Sequence, residues 1–166
     1  AGKMSLSGFE PFVIVAYRFL LSAAICGIVF FKKIKLSSKD GIIKGTIIGI
    51  LQFAALSVQL IGLKYTTSAK QSFLCTAYVA LVPFISWAAI KKRPSLKAFT
   101  AGFLALAGIG LISLNNSLSI SFGDALSLLC SIFFGIQIVL VGRFAGECDG
   151  IELTFFQFLS AGILSA

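Results

Sequence analysis

The chain has no histidine, and only six of its 166 residues are acidic. Without histidine it lacks the commonest general base at neutral pH and the commonest transition-metal ligand. Charged residues of both signs make up 12%, against roughly a quarter in a soluble domain. The four cysteines are Cys26, Cys75, Cys130 and Cys148. No two have CxxC spacing, and the first three sit inside apolar runs. They read as small, polarisable packing residues, so no disulfide framework, metal or cofactor is expected. No basic-then-apolar signal peptide precedes the first apolar run, Ala1 is not methionine, and Ala166 lies inside an apolar run. Both ends therefore read as cut.

What remains is apolar. Fifty-eight per cent of the residues are hydrophobic and the mean hydropathy is +1.01. A soluble fold of this length could not hide so much apolar surface, so the lipid bilayer is the expected surrounding. The net charge of +8 does not point to nucleic acid, because the lysines gather in short loops between apolar runs as they do in cytoplasmic loops. A helix crosses the hydrocarbon core in about 20 residues. Five full candidates fit: span A from Phe12 to Phe31, B from Gly41 to Gly62, C from Gln71 to Ile90, D from Leu96 to Leu114 and E from Asp124 to Val141. Span F begins near Ile151 and runs to Ala166. The fold class expected is an all-α polytopic bundle.

Loop charge alternates. The A–B loop holds Lys32, Lys33, Lys35 and Lys39, the C–D loop Lys91, Lys92, Arg93 and Lys97, and the E–F loop Arg143. The B–C loop has only Lys64 and Lys70, and residues 115–122 have no charge. The positive-inside rule makes the A–B, C–D and E–F loops cytoplasmic and puts residue 1 outside, which implies an odd number of spans upstream. Gly41, Gly45 and Gly49 fall on one face of span B, and Ser127, Ser131 and Gly135 repeat the device in span E. Span D carries Gly102, Ala105, Gly108 and Gly110. Small residues at this spacing let helix backbones approach closely, and the span B face is also a candidate homodimer surface.

Two spans resemble each other. Tyr17-Arg18-Phe19-Leu20-Leu21-Ser22-Ala23-Ala24-Ile25 aligns, with one gap, on Phe156-Gln157-Phe158-Leu159-Ser160-Ala161-Gly162-Ile163. Phe19 thereby pairs with Phe158 and Leu20 with Leu159. Span A runs inward and span F outward, and a repeat of five helices must invert. Inverted repeats are typical of secondary carriers.

The order of several motifs is similar to that of EamA-type permeases of the drug/metabolite transporter superfamily. They are Pro11 and Arg18 in an early span, Gly62 to Ala69 entering the next helix, Pro83 late in that helix, the Gly-rich run from Gly102 to Leu114, Gly123-Asp124 opening span E, and Gln157 in span F. The resemblance implies ten helices in two inverted five-helix repeats. Residues 1–115 would be the first repeat lacking its first helix, and residues 123–166 the truncated start of the second. It also implies a multi-pass carrier in a bacterial inner membrane, moving small metabolites such as amino acids or drug-like compounds by alternating access. One departure stands: the Glu-Arg pair frequent in the family reads Lys92-Arg93 here.

Polar groups inside a membrane are costly and mark either a cavity or an interhelical bond. Arg18, about 10 Å along span A at 1.5 Å per residue, is an attractor for an anionic or zwitterionic substrate or else a snorkelling or paired structural cation. Gln52 and Gln59 share a face of span B, Gln137 lies within span E, and Gln71 and Tyr78 share a face of span C. Their amides and hydroxyl suit a polar cavity or interhelical hydrogen bonding equally. Pro83 removes a backbone hydrogen bond and is a candidate hinge or a fixed bend. All six acidic residues lie near span ends, so the visible spans offer no mid-membrane carboxylate for proton coupling. An intramembrane enzyme would need a nucleophile and base that the sequence does not supply together. The competing reading is a non-transporting scaffold or a subunit of a larger membrane assembly.

Overall fold

A computed structural model describes residues 10–35, 38–90, 100–104, 107–108 and 121–166. Among them all regular structure is helical. The helices are α1 (Glu10–Val29), α2 (Phe31–Lys35), α3 (Lys39–Leu63), α4 (Ser68–Thr76), α5 (Tyr78–Ile90), α6 (Phe122–Phe144) and α7 (Gly150–Ser165). Backbone at 100–104 is also helical. Most of span D and the charged C–D loop lie outside the described residues.

Among the described residues, four segments are long and apolar enough to cross a membrane: Phe12–Val29, Lys39–Leu63, Lys70–Ala88 and Phe122–Phe144. The sixteen residues of α7 rise about 24 Å, short of a hydrocarbon core of about 30 Å. Caps fix where the helices start. The Ser38 hydroxyl accepts from the Gly41 N–H at 3.0 Å, Thr67 accepts from Lys70 at 3.3 Å, and Asp149 accepts from Ile151 at 2.9 Å. Each side chain satisfies one of the orphan donors of a first turn.

Two spans differ from their expected outline. Span A ends at Val29; a turn at Phe30 separates it from the short α2, which carries Lys32 and Lys33. Span C is interrupted at Ala77, whose N–H bonds back to Leu74 at 3.1 Å. Pro83 itself sits inside α5. A proline removes the bond to the carbonyl four residues back, here Val79, and crowds the turn before it. That lost bond lies within α5, after the interruption at Ala77.

The chain divides into two compact units. The first comprises Ala1–Ala54 with Leu140–Ala166, and the second Ala55–Val139. In the first, α1 and α7 run antiparallel: a Cβ on Gly27 would meet the Phe155 ring at 3.1 Å, and one on Gly162 would meet Leu20 at 2.9 Å. The glycine face of α3 lies against α7. A Cβ on Gly45 would stand 2.7 Å from that of Phe156, and one on Gly49 would stand 2.5 Å from the Gln157 carbonyl oxygen and collide with Ser160 Oγ. That face is thus occupied by α7 within the chain. In the second unit the small residues are on α6: Ser127, Cys130 and Ser131 are fully buried, and Gly135 faces Ile85.

Candidate functional site

Arg18 and Gln52 belong to the first unit; Gln59, Gln71, Tyr78, Pro83 and Gln137 belong to the second. Arg18 is exposed on α1, and its backbone carbonyl accepts from Ser22 Oγ at 2.7 Å. Gln52 is half-buried on α3. Its Oε1 accepts from Gln157 Nε2 of α7 at 2.9 Å. The glycine at position 49, one turn earlier on α3, brings the backbones close enough for two amide side chains to meet directly. Phe19 and Phe158 stack beside this contact with ring centroids 5.7 Å apart.

At the lysine-bearing end of this unit, charges tie the α2–α3 segment to the α6–α7 connection. Lys33 bonds to Asp149 at 3.0 Å and Lys44 to Glu147 at 2.6 Å, while Arg143 lies 3.8 Å from Glu147. Glu152, on the first turn of α7, is buried against Gly41 and accepts from Ser38 Oγ at 3.4 Å. The hydrogen bond from Lys44 holds the Glu147 carboxyl below its usual range. Asp149 is lowered first by the Ile151 N–H and then by Lys33.

The second unit carries a buried polar seam. Asp124 is 4% exposed and accepts from Lys70 Nζ at 2.7 Å and Thr66 Oγ1 at 3.2 Å. It also forms a capping box with Ser121: the Ser121 N–H donates to Asp124 at 3.0 Å, and the Asp124 N–H to Ser121 Oγ at 3.3 Å. Gln71 is 3% exposed and donates to the backbone carbonyl of Gln59. The thiols of Cys75 and Cys130 lie 3.6 Å apart. Tyr78 packs its ring at 6.1 Å from Phe134, and Gln137 is buried. The structure thus brings Gln59 and Gln71 together, the latter through the backbone of the former. Ser127 and Ser131 donate to their own helix carbonyls, Gly123 and Leu128.

Two partners escaped the sequence reading. Lys70 reads there as one of two sparse loop charges, yet it neutralises a buried carboxylate. Gln157 reads as a motif residue, yet it supplies the partner of Gln52. The Ser-x-x-Asp spacing of 121 and 124 is a legible capping signal; the Lys70 pairing has no local signal. The first locus offers two amides and the second an amide, hydroxyls and one paired carboxylate, groups that suit recognition by hydrogen bonding. Among the described residues no three His, Cys, Asp or Glu side chains group as a metal site requires.

A family model described as the EamA-like transporter family matches residues 1–114. The chain is also similar to two proteins of Archaeoglobus fulgidus, each named an uncharacterized transporter. One is 33% identical over 164 residues, covering 99% of this chain and 50% of its own length. The other is 26% identical over 165 residues, covering 94% and 56%. The chain spans about half the length of the curated relatives it matches. No solved structure matches it.

Proposed function

The chain belongs to the EamA-like transporter family and is multi-pass; from that premise we propose that the intact protein carries small metabolites, amino acids or drug-like compounds among them, across a prokaryotic cytoplasmic membrane by alternating access. The relatives are archaeal, so the bacterial host expected from the sequence has no support beyond the resemblance. The two repeats are assigned to residues 1–115 and 123–166.

One observation carries the reading. When two elements related by a twofold axis cross, residues at the axis meet their own equivalents. Phe19 and Phe158 are equivalents in the internal repeat, and their rings pack together where α1 and α7 cross antiparallel. The neighbouring contact supports the same axis. Leu20 packs on Gly162, and the equivalent residues, Leu159 and Ala24, line one groove. The topology draws support from Lys33–Asp149, which joins the A–B and E–F connections, and from Lys44–Glu147, which joins the start of span B to the E–F connection; the lysine distribution assigns both connections to one side. An inverted-repeat carrier binds near the midplane between its halves. The Gln52–Gln157 pair joins helices assigned to different halves, so it is the first candidate for substrate contact, with Arg18, Gln59, Gln71, Tyr78 and Gln137 as further candidates and Pro83 as the hinge.

The test is an uptake and efflux screen of the intact protein in a transport-deficient host, followed by flux in liposomes. Metabolite flux that falls on Gln52→Leu, with insertion unchanged, is the expected result. An inserted protein with no flux for any metabolite class would turn the assignment to a membrane scaffold.

A further inference from the structure

A groove of about 470 Å³ follows the α1–α7 contact within the first unit. Leu20, Ala24, Ile28, Phe31, Ile34 and Phe155 form its walls, and every residue lining it is apolar. From Leu20 to Phe31 the chain advances about 16 Å at 1.5 Å per residue. Half of a hydrocarbon core of about 30 Å is about 15 Å. The groove therefore has the length of one leaflet, with its mouth at α2. The turn at Phe30 ends α1 and lets Phe31 and Ile34 of α2 line the mouth.

The mouth is basic. Lys32, Lys33, Lys35 and Lys39 fall within eight residues. Lys33 is engaged with Asp149, whereas Lys32 is exposed directly beside Phe31. We propose that this groove is a specific site for an anionic glycerophospholipid of the leaflet on the α2 side, with one acyl chain in the groove and the phosphate on Lys32. The apolar walls match a hydrocarbon chain, and the length matches one leaflet. Charge selects the headgroup, because a lysine near the surface contributes about 1 kcal/mol of attraction to an anionic lipid. Ile28 is 79% exposed and Phe31 65%, which a seated chain would cover. A second copy fits this mouth poorly, since a symmetric contact there would bring two lysine clusters together.

The experiment reads lipid retention and needs no transport substrate, so it fails or succeeds separately from the carrier reading. The intact protein is placed in nanodiscs of equal phosphatidylglycerol and phosphatidylcholine, released, and weighed by native mass spectrometry. Phosphatidylglycerol is expected to be retained over phosphatidylcholine. Lys32→Gln should cut that preference about fivefold, the equivalent of one surface lysine. Ala24→Phe fills the groove from an exposed position and should abolish retention of both lipids while the protein stays folded by its thermal midpoint. Retention in the offered ratio overturns the proposal, as does a preference that Lys32→Gln leaves unchanged. A lipid-free dimer that Ala24→Phe dissociates would assign the groove to a second copy instead.

Discussion

The two units solve the same packing problem with opposite interiors. In the first, small residues of α3 receive bulky ones of α7, and apart from the Gln52–Gln157 pair and Glu152 the ionic contacts gather at one exposed end. In the second, small residues of α6 are themselves polar, and the seam runs through buried groups: Asp124, Ser127, Ser131 and Gln71. Lipid is as apolar as leucine, so helices in a membrane gain nothing from hiding hydrocarbon; they associate by close packing and by hydrogen bonds. The first unit relies mainly on close packing and the second on hydrogen bonds, and each should fail to a different substitution.

The largest effect is expected at Gly49. A Cβ there meets backbone, the Gln157 carbonyl at 2.5 Å, which cannot step aside without parting α3 from α7. Gly49→Ala should cost about 3 kcal/mol, at the upper end of overpacking, read as the unfolding midpoint of the intact protein in detergent. Gly135 provides the control. Its Cβ would crowd the Ile85 Cδ1 at 2.7 Å, the far end of a flexible side chain, and stand in ordinary contact with Leu81 and Tyr78 at 3.9 Å, so Gly135→Ala should cost about 1 kcal/mol or less. Equal losses at the two positions would erase the distinction between the units.

Next in size is Asp124→Asn in the polar seam. It leaves the Lys70 ammonium, whose side chain is 23% exposed, without its charge partner, for a loss of about 2 kcal/mol. The double variant Asp124→Asn/Lys70→Met should recover most of that, because a buried pair costs more to break than to replace. A double variant as unstable as the single one would place the stabilisation in the capping box instead. In the first unit, Gln52→Leu should cost about 1 kcal/mol, and adding Gln157→Leu should restore it. Stability restored with flux still lost would mark the two amides as substrate contacts.

Spans A, B, C and E were legible because length and hydropathy alone define them; α3 and α6 match their expected ranges to within a few residues. The interruption at Ala77 was not, since nothing between Gln71 and Tyr78 breaks a helix and the bond that Pro83 removes lies beyond it, within α5. Glycine spacing on span B announced a close approach but not its partner, which is decided by where the sequence brings α7. The candidate site was legible as residue types only. Gln71 was singled out for sharing a face with Tyr78, yet it uses the carbonyl of Gln59, and any residue at 59 presents a carbonyl.

The smallest effect is the most directly tied to charge. Glu147 and Asp149 titrate below the ordinary carboxylate range in the folded protein. Groups so depressed stabilise the fold above the unfolded-state value and lose that contribution as pH falls through the folded one. The ties from α2 and α3 to the α6–α7 connection should therefore be intact at pH 7 and weaken only below about pH 4, where unfolded carboxylates protonate. Both carboxylates are exposed and their pairs are screened by salt, so the thermal midpoint should drop only slightly with acid and less still at high ionic strength. Lys33→Gln sharpens the point. The first cause of the Asp149 depression is the Ile151 N–H, a helix cap that the variant leaves in place. Most of the pH dependence at Asp149, followed by NMR of the side-chain carboxyl, should therefore survive in Lys33→Gln. Its disappearance would mean that the lysine, not the cap, holds the α7 end, and the first unit would then depend on an ion pair as well as on close packing.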